Sequence, residues 1–64
     1  MSKVETNRRK IMARLEREGW KNIGGGKHDR FSNEERFGVL ITVPRHRDLQ
    51  PGTARSIAKA AGWI

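Results

Sequence analysis

The chain has 64 residues, the length of one small domain, and at this size folding buries only about 60% of the unfolded surface. It contains no cysteine, which excludes disulfides and thiolate metal sites, and no apolar run approaches the roughly 20 residues of a membrane span. The net charge of +7 makes polyanions the expected partners, namely nucleic acid, an acidic protein or both, unless the domain is basic by chance.

A polar N-terminal segment leads into the first predicted helix. The letters SKVETNRRK after Met1 show no apolar core of a signal peptide, so we expect a cytoplasmic protein. Ser2 or Thr6 is the expected N-cap of the helix, and Ser2 with Glu5 has capping-box spacing. The helix is predicted to run to about Glu18, with an apolar stripe at helical spacing that consists of Ile11, Met12 and Leu15.

Three short strand-like segments follow, at residues 20–23, 27–32 and 37–43. The third is the clearest, because alternating residues along it predict one buried and one exposed face. Leu40 and Thr42 are predicted to point outward. The predicted inward-facing residues are Phe37, Val39, Ile41 and Val43. Residues 33–36 form the predicted hairpin loop before this strand, and Pro44 ends it because proline has no N–H for the ladder.

The second predicted helix follows a loop in which Pro51 and Gly52 make a turn, and Thr53 is its expected N-cap. Its apolar positions recur at i, i+3, i+4 and i+7 and are Ala54, Ile57, Ala58 and Ala61. Each helix is followed by a Gly-Trp pair, at residues 19–20 and 62–63. We expect each glycine to take the left-handed conformation, with its tryptophan folding back on the last turn of the helix.

The order of elements is therefore α-β-β-β-α, and an α+β fold is the simplest way to bury the apolar stripes. In this fold a three-stranded antiparallel sheet carries both helices on one face and leaves the other face open to solvent. We expect a single domain over residues 1–64, with residues 1–6 frayed.

The stretch GGGKHDRF, residues 24–31, leads into the second strand and carries the first of two histidines. It does not match a phosphate-binding Walker loop, because its glycines are adjacent, Asp29 follows His28, and a strand follows rather than a helix. A turn between antiparallel strands explains two glycines, since glycine readily takes positive φ. The third removes a side chain next to His28, which lets backbone or a ligand approach closely.

Strand alternation predicts where His28 points. If Phe31 faces the helices, Lys27 and Asp29 share its side. His28 and Arg30 then lie on the open face of the sheet. A histidine beside cations on an open face can exchange a proton with an acidic ligand near neutral pH. The alternative is that His28 is an ordinary solvated surface residue.

Four stretches, read together, resemble motifs of one known protein family. They are LEREGW, GGGKHDRF, ITVPRHRDLQPGT and GTARSIAKAAGW, and they cover the chain from about residue 7 to its end. The stretches are similar to a first-helix ending, a Gly-x-His-x-x-Phe signature, a Val-Pro strand ending with a histidine and a Pro-Gly-Thr turn, and a closing helix. The family with these motifs, in this order and spacing, is HicA, the toxins of bacterial HicA/HicB toxin-antitoxin pairs.

The resemblance implies a double-stranded-RNA-binding-like α-β-β-β-α fold and an endoribonuclease that cleaves mRNA and stops translation. It also implies that His28 is catalytic and that a HicB antitoxin inhibits the enzyme by covering this residue. The chain departs from the family at two neighbours of His28. Asp29 stands where a second histidine is frequent, and Lys27 replaces the usual Ser or Thr. The closing helix has Ala54 and Ala58 where the family usually has leucines, which makes the core lighter.

RNA carries its own nucleophile, so cleavage needs no metal or other cofactor; it needs a base, an acid and cations for the phosphate charge. His28 is the expected base or acid. His46 is either the second proton-transfer group or a residue that positions RNA or the loop. The expected phosphate contacts are Lys27, Arg30, Arg45 and Arg47. No metal site is expected, because cations crowd both histidines.

Two alternatives to a nuclease stay open. A non-catalytic RNA- or DNA-binding module of the same architecture needs the cations but not His28. A pure interaction domain, whose basic face docks an acidic protein, predicts no RNA affinity at moderate salt.

Overall fold

A computed structural model describes residues 4–64, which form two helices and one three-stranded sheet. The elements are α1 Arg8–Arg17, β1 Lys21–Asn22, β2 His28–Ser32, β3 Leu40–Pro44 and α2 Pro51–Ala60. The strands lie in the order β1-β2-β3 and pair antiparallel throughout. The predicted α-β-β-β-α order and antiparallel sheet are therefore confirmed. Within residues 4–64, neither helix is long and apolar enough to cross a membrane.

The helix starts differ from those predicted. Asn7 caps α1, because its Oδ1 accepts a hydrogen bond from the Lys10 N–H at 3.1 Å, so the prediction of Thr6 is wrong. Asparagine is the stronger cap of the two, since its carbonyl reaches an unpaired N–H of the first turn. Ser2 and the capping box predicted with it lie outside the described residues, as does part of the fraying predicted for residues 1–6.

The N-cap of the second helix lies three residues before the predicted Thr53, so the prediction of Thr53 is wrong. Gln50 is the N-cap, without a side-chain hydrogen bond, and Pro51 is the first helical residue. Proline suits this position because its ring already has the helical φ and its missing N–H would be unpaired there in any case. The turn predicted at Pro51 and Gly52 is therefore the first turn of α2.

Both helices end in the predicted Schellman motif. Gly19 and Gly62 have φ of 91° and 82°. The N–H of Trp20 donates to the carbonyl of Leu15 at 3.0 Å, and the N–H of Trp63 donates to that of Ala58 at 2.8 Å. Each motif satisfies carbonyls that the last turn would leave unpaired, and it turns the chain back toward the core.

The core lies between one face of the sheet and both helices. Phe31, Ile41 and Val43 supply the sheet side of this core. The buried helical residues are Ile11 and Leu15 of α1 and Ala54, Ile57, Ala58 and Ala61 at α2. The opposite face of the sheet is exposed, as predicted, at His28, Arg30, Leu40 and Thr42. Both helices thus cover a single face, and the other face is available to a ligand.

The third strand is shorter than predicted at its start. Phe37 is 93% exposed and lies in the loop between β2 and β3, so its predicted inward position is wrong. The ladder ends at the pair Ser32 and Leu40, and Gly38 has a left-handed φ of 81° that interrupts an extended run. Val39 is half-buried and packs against the core. The apolar-polar alternation of the sequence begins at Phe37, but β2 offers no pairing partner before Leu40, so the strand begins only there.

The three glycines before β2 have different reasons to be glycine. Gly24 and Gly25 have φ of 78° and 150°. A Cβ on Gly25 would also lie 2.6 Å from the carbonyl oxygen of His28, so this turn folds directly against β2. Gly26 has no positive φ, and a Cβ there would meet nothing within 4 Å. The turn therefore requires two glycines, and the fold does not require the third.

This difference predicts opposite outcomes for two alanine substitutions. Gly25→Ala should lower the free energy of unfolding by roughly 1–3 kcal/mol, because the new Cβ meets backbone at a φ that L-residues avoid. Gly26→Ala should change it by less than about 0.5 kcal/mol. Urea unfolding of both variants beside the wild type measures the contrast. If the two variants lost the same free energy of unfolding, Gly25 would not have the close contact with the His28 carbonyl on which the prediction rests.

Candidate functional site

His28 is the first residue of β2, and its side chain lies on the open face of the sheet. It is exposed, whereas Asp29 beside it is only 8% exposed. Because successive side chains of a strand point to opposite faces, the burial of Asp29 and Phe31 directs His28 and Arg30 outward. The predicted orientation of His28 is what the structure has.

One open cleft brings the two histidines of the chain together. Its volume is about 450 Å³, and its lining residues are His28, Pro44, His46, Asp48, Leu49, Gln50 and Thr53. In the ladder His28 pairs with Pro44, the last residue of β3. The loop that leaves β3 therefore starts beside His28, and it carries His46 to the same cleft. Two groups that can each accept or give a proton near neutral pH share one ligand-sized space.

Three polar residues of this cleft were not predicted from the sequence. Asp48, Gln50 and Thr53 add a carboxylate, an amide and a hydroxyl to its wall. Thr53 is not the cap of α2, because the helix begins at Pro51, and it lines the cleft instead. The sequence signal that could have identified them is their position, because all three lie close to the junction of β3 and α2.

The inward-facing Asp29 binds two arginines. Arg8 on α1 donates to Asp29 Oδ2, and Arg45 after β3 donates to Oδ1 at 3.3 Å. Burial raises the pKa of Asp29, but the hydrogen bond from Arg8 and the positive charges of Arg45 and Arg8 lower it by more, so the net shift is downward. The carboxylate is thus ionised at neutral pH and joins β2 to α1 and to the loop that carries His46.

The predicted phosphate-contacting cations do not form one group. Arg30 is exposed on the open face, and Lys27 is exposed beside His28. Arg45 instead reaches Asp29 at the helix side of the sheet. Arg47 lines a separate cleft with Asn7, Arg8 and Arg9. The inward side predicted for Lys27 does not hold, because Lys27 precedes β2 and is exposed. Of the four predicted cations, Arg30 shares the open face of the sheet with His28.

No metal centre is found in the part of the chain that the structure describes. Within residues 4–64, no three His, Asp or Glu side chains are grouped so that they could hold a metal ion. The side chains that line the cleft include two imidazoles and the polar groups of Asp48, Gln50 and Thr53.

Sequence comparison assigns the chain to a family. It matches the family model described as the HicA toxin of bacterial toxin-antitoxin systems over residues 8–63, nearly its whole length. The chain therefore belongs to the HicA toxin family, whose members are toxins of type II toxin-antitoxin systems and are known as mRNA interferases. Membership implies a cognate antitoxin and an RNA target. Among curated proteins, no sequence matches the chain.

The arginine pair around Asp29 predicts a pH-dependent stability. Because the folded pKa of Asp29 lies below its ordinary value of 3.8, its contribution is present above pH 3.8 and is lost as pH falls through the folded pKa. Asp29→Asn should therefore lower Tm by several degrees at pH 7, and the two melting temperatures should converge in acid. Thermal unfolding followed by circular dichroism at pH 7, 5 and 3 measures this.

Asp48→Asn is the matched control for that experiment. Asp48 is exposed and takes part in none of the ion pairs among residues 4–64. Its amide variant should melt within a degree or two of the wild type at every pH. An Asp29→Asn variant that melts like the Asp48 control at pH 7 would contradict a structural role for the Asp29 carboxylate.

Proposed function

We propose that this HicA toxin is a metal-independent endoribonuclease that cleaves mRNA in the cleft shared by His28 and His46. The observation that carries the proposal is that two imidazoles line one solvent-open cleft of about 450 Å³. A single exposed histidine has no necessary function, but two at one cleft of a basic domain are suited to paired proton transfer. Family membership supports the same substrate class.

The proposed reaction uses the 2′-hydroxyl of RNA as the nucleophile. A base removes its proton, the 2′-oxygen bonds to the adjacent phosphorus, and the bond from phosphorus to the 5′-oxygen breaks. An acid protonates the leaving 5′-oxygen, which gives a 2′,3′-cyclic phosphate and a 5′-hydroxyl. His28 is one of these two proton-transfer groups and His46 is the other. Each can serve in either role, because imidazole is both a competent base and, when protonated, a competent acid.

Charge on the open face supports binding of the phosphate. Arg30 lies two residues from His28 on the same face, and Lys27 precedes His28. Neither takes part in an ion pair among residues 4–64. Positive groups that are not neutralised nearby stabilise the charge that develops on the phosphate oxygens during attack. The net charge of +7 raises the local concentration of RNA around the molecule.

The antitoxin is proposed to act on the same cleft. The cleft shared by His28 and His46 is open to solvent, and exposed cations stand on either side of His28 in the sequence, at Lys27 and Arg30. A HicB partner that places carboxylates beside Arg30 and Lys27 while covering His28 would compete directly with RNA. Complementary charge at such a surface speeds association and selects the partner.

Replacement of His28 tests the catalytic proposal. His28→Ala should lower the rate of cleavage of a purified mRNA at least about 100-fold, because a proton-transfer group is lost. The side chain is exposed, so the circular dichroism spectrum should stay that of the wild type. Cleavage is assayed with EDTA present, and mRNA integrity after expression in cells is the second readout.

Lys59→Ala, an exposed residue of α2, is the control for loss of a surface side chain and should cleave at the wild-type rate. A His28→Ala variant that also cleaves at the wild-type rate would disprove the catalytic assignment. RNA binding without cleavage by the wild type would favour a non-catalytic binding module. Loss of cleavage on chelation would exclude the metal-independent mechanism.

His46 is tested through the pH dependence of the rate. With two proton-transfer groups, kcat should follow a bell-shaped profile against pH, and His46→Ala should remove one limb and lower the maximum by about 100-fold. Single-turnover cleavage between pH 5 and 9 gives the profile. If His46→Ala raised KM and kept both limbs, His46 would position RNA and would not transfer a proton.

A further inference from the structure

A second cleft lies at the start of α1 and is lined by polar residues alone. Its volume is about 360 Å³, and its lining residues are Asn7, Arg8, Arg9 and Arg47. We refer to it as the arginine cleft, and to the cleft of His28 and His46 as the histidine cleft. Three guanidinium groups and an amide suit an anionic ligand, since each guanidinium offers several donors in one plane to phosphate or carboxylate oxygens.

The two clefts are separated by one extended segment. Residues 47–49 pair with residues 6–8: the Arg8 N–H donates to the carbonyl of Arg47 at 3.0 Å, and the Leu49 N–H donates to that of Thr6 at 2.8 Å. Asn7 and Asp48 form an antiparallel bridge between the same segments. His46 and Asp48 line the histidine cleft, while Arg47 between them lines the arginine cleft.

Charge in the arginine cleft is only partly neutralised within the chain. Arg8 is paired with Asp29, but none of the ion pairs among residues 4–64 includes Arg9 or Arg47. The first turn of α1 holds Arg8, Arg9 and Lys10 and has no acidic residue. A helix start favours negative side chains, because its unpaired N–H groups carry partial positive charge. Arg8 is offset by its pair with Asp29, but Arg9 has no ion-pair partner among residues 4–64. A cation that breaks the rule for a helix start without such a partner is a candidate for binding.

We propose that the arginine cleft binds backbone phosphates of the single-stranded RNA whose scissile bond lies in the histidine cleft. This inference rests on the proposed nuclease function and extends its substrate site. A ligand that reaches both sides of the 46–49 segment must carry anionic groups repeated along a flexible chain, and single-stranded RNA has one phosphate per nucleotide. The contact is with the backbone, so it adds affinity and sets the strand's path without reading sequence.

The test is binding of a 20-nucleotide 2′-O-methyl RNA, which lacks the nucleophilic hydroxyl and stays uncleaved. The double variant Arg9→Gln/Arg47→Gln should bind about tenfold more weakly at low salt, and its slope of log K against log salt should be about 1.4 smaller, the value for two single-strand phosphate contacts. The control Arg17→Gln/Lys59→Gln removes the same charge from exposed positions at the far ends of the helices and should bind within about twofold of wild type.

Two other outcomes of the binding experiment would overturn the inference. Equal weakening in both double variants would mean that only net charge matters, and unchanged binding in the Arg9/Arg47 variant would mean that the cleft does not hold RNA and leaves an acidic protein as its ligand. Because the probe is not cleaved, these results stand whether or not His28 is catalytic. A failed His28→Ala test would remove the nuclease proposal and leave this binding measurement valid.

Arg9→Glu separates binding from folding. A negative side chain in the first turn of α1 suits the helix end, so the variant should melt no lower than the wild type. Its affinity for the same 2′-O-methyl RNA should nevertheless fall by more than that of Arg9→Gln. A drop in Tm that accompanies the loss of affinity would assign Arg9 a structural role and contradict the proposed phosphate contact.

Discussion

The site depends on the carboxylate of Asp29 and the two arginines that hold it. Asp29 immediately follows His28, and Arg45 immediately precedes His46, so the ion pair between them on the helix side fixes the neighbours of both histidines. Arg8 adds α1 to the same contact. Strand alternation then sends the His28 side chain to the opposite face, and the loop after β3 brings His46 to it. The ion pairs of Asp29 on the helix side of the sheet thus determine where His28 and His46 lie in the histidine cleft.

Much of the fold was predictable because its signals are local. The apolar stripes of the helices, the Gly-Trp endings and the alternation of β3 depend on residues within a few positions of each other, and these predictions are confirmed. The errors occurred where a distant partner decides the outcome. Phe37 continued the alternation of β3 in sequence, but β2 ends opposite Leu40 and offers no partner there. The N-cap of α1 is Asn7 rather than the adjacent Thr6, because asparagine is the more favourable residue at this position.

The candidate site was predictable in part. The orientation of His28 and Arg30 followed from the period of the strand, and it needed only the assumption that Phe31 is buried. Which residues line the cleft could not be read from the sequence, because the path of the loop that carries Asp48 and leads to Thr53 in α2 follows no periodicity. The same loop carries Arg45 and Arg47 away from His28, although they flank His46 in sequence. The positive net charge of a sequence predicts that the protein binds an anionic partner. It does not say which of the cations contact the same ligand.

The claim that one RNA ligand contacts both histidines is tested most directly by NMR of the imidazole side chains. The chain has two histidines, so the ring signals are readily assigned with one variant each. During titration with a short 2′-O-methyl RNA, we expect the signals of His28 and His46 to shift together with one apparent Kd. A shift of one ring while the other stays unchanged at saturation would contradict the shared cleft as the RNA site.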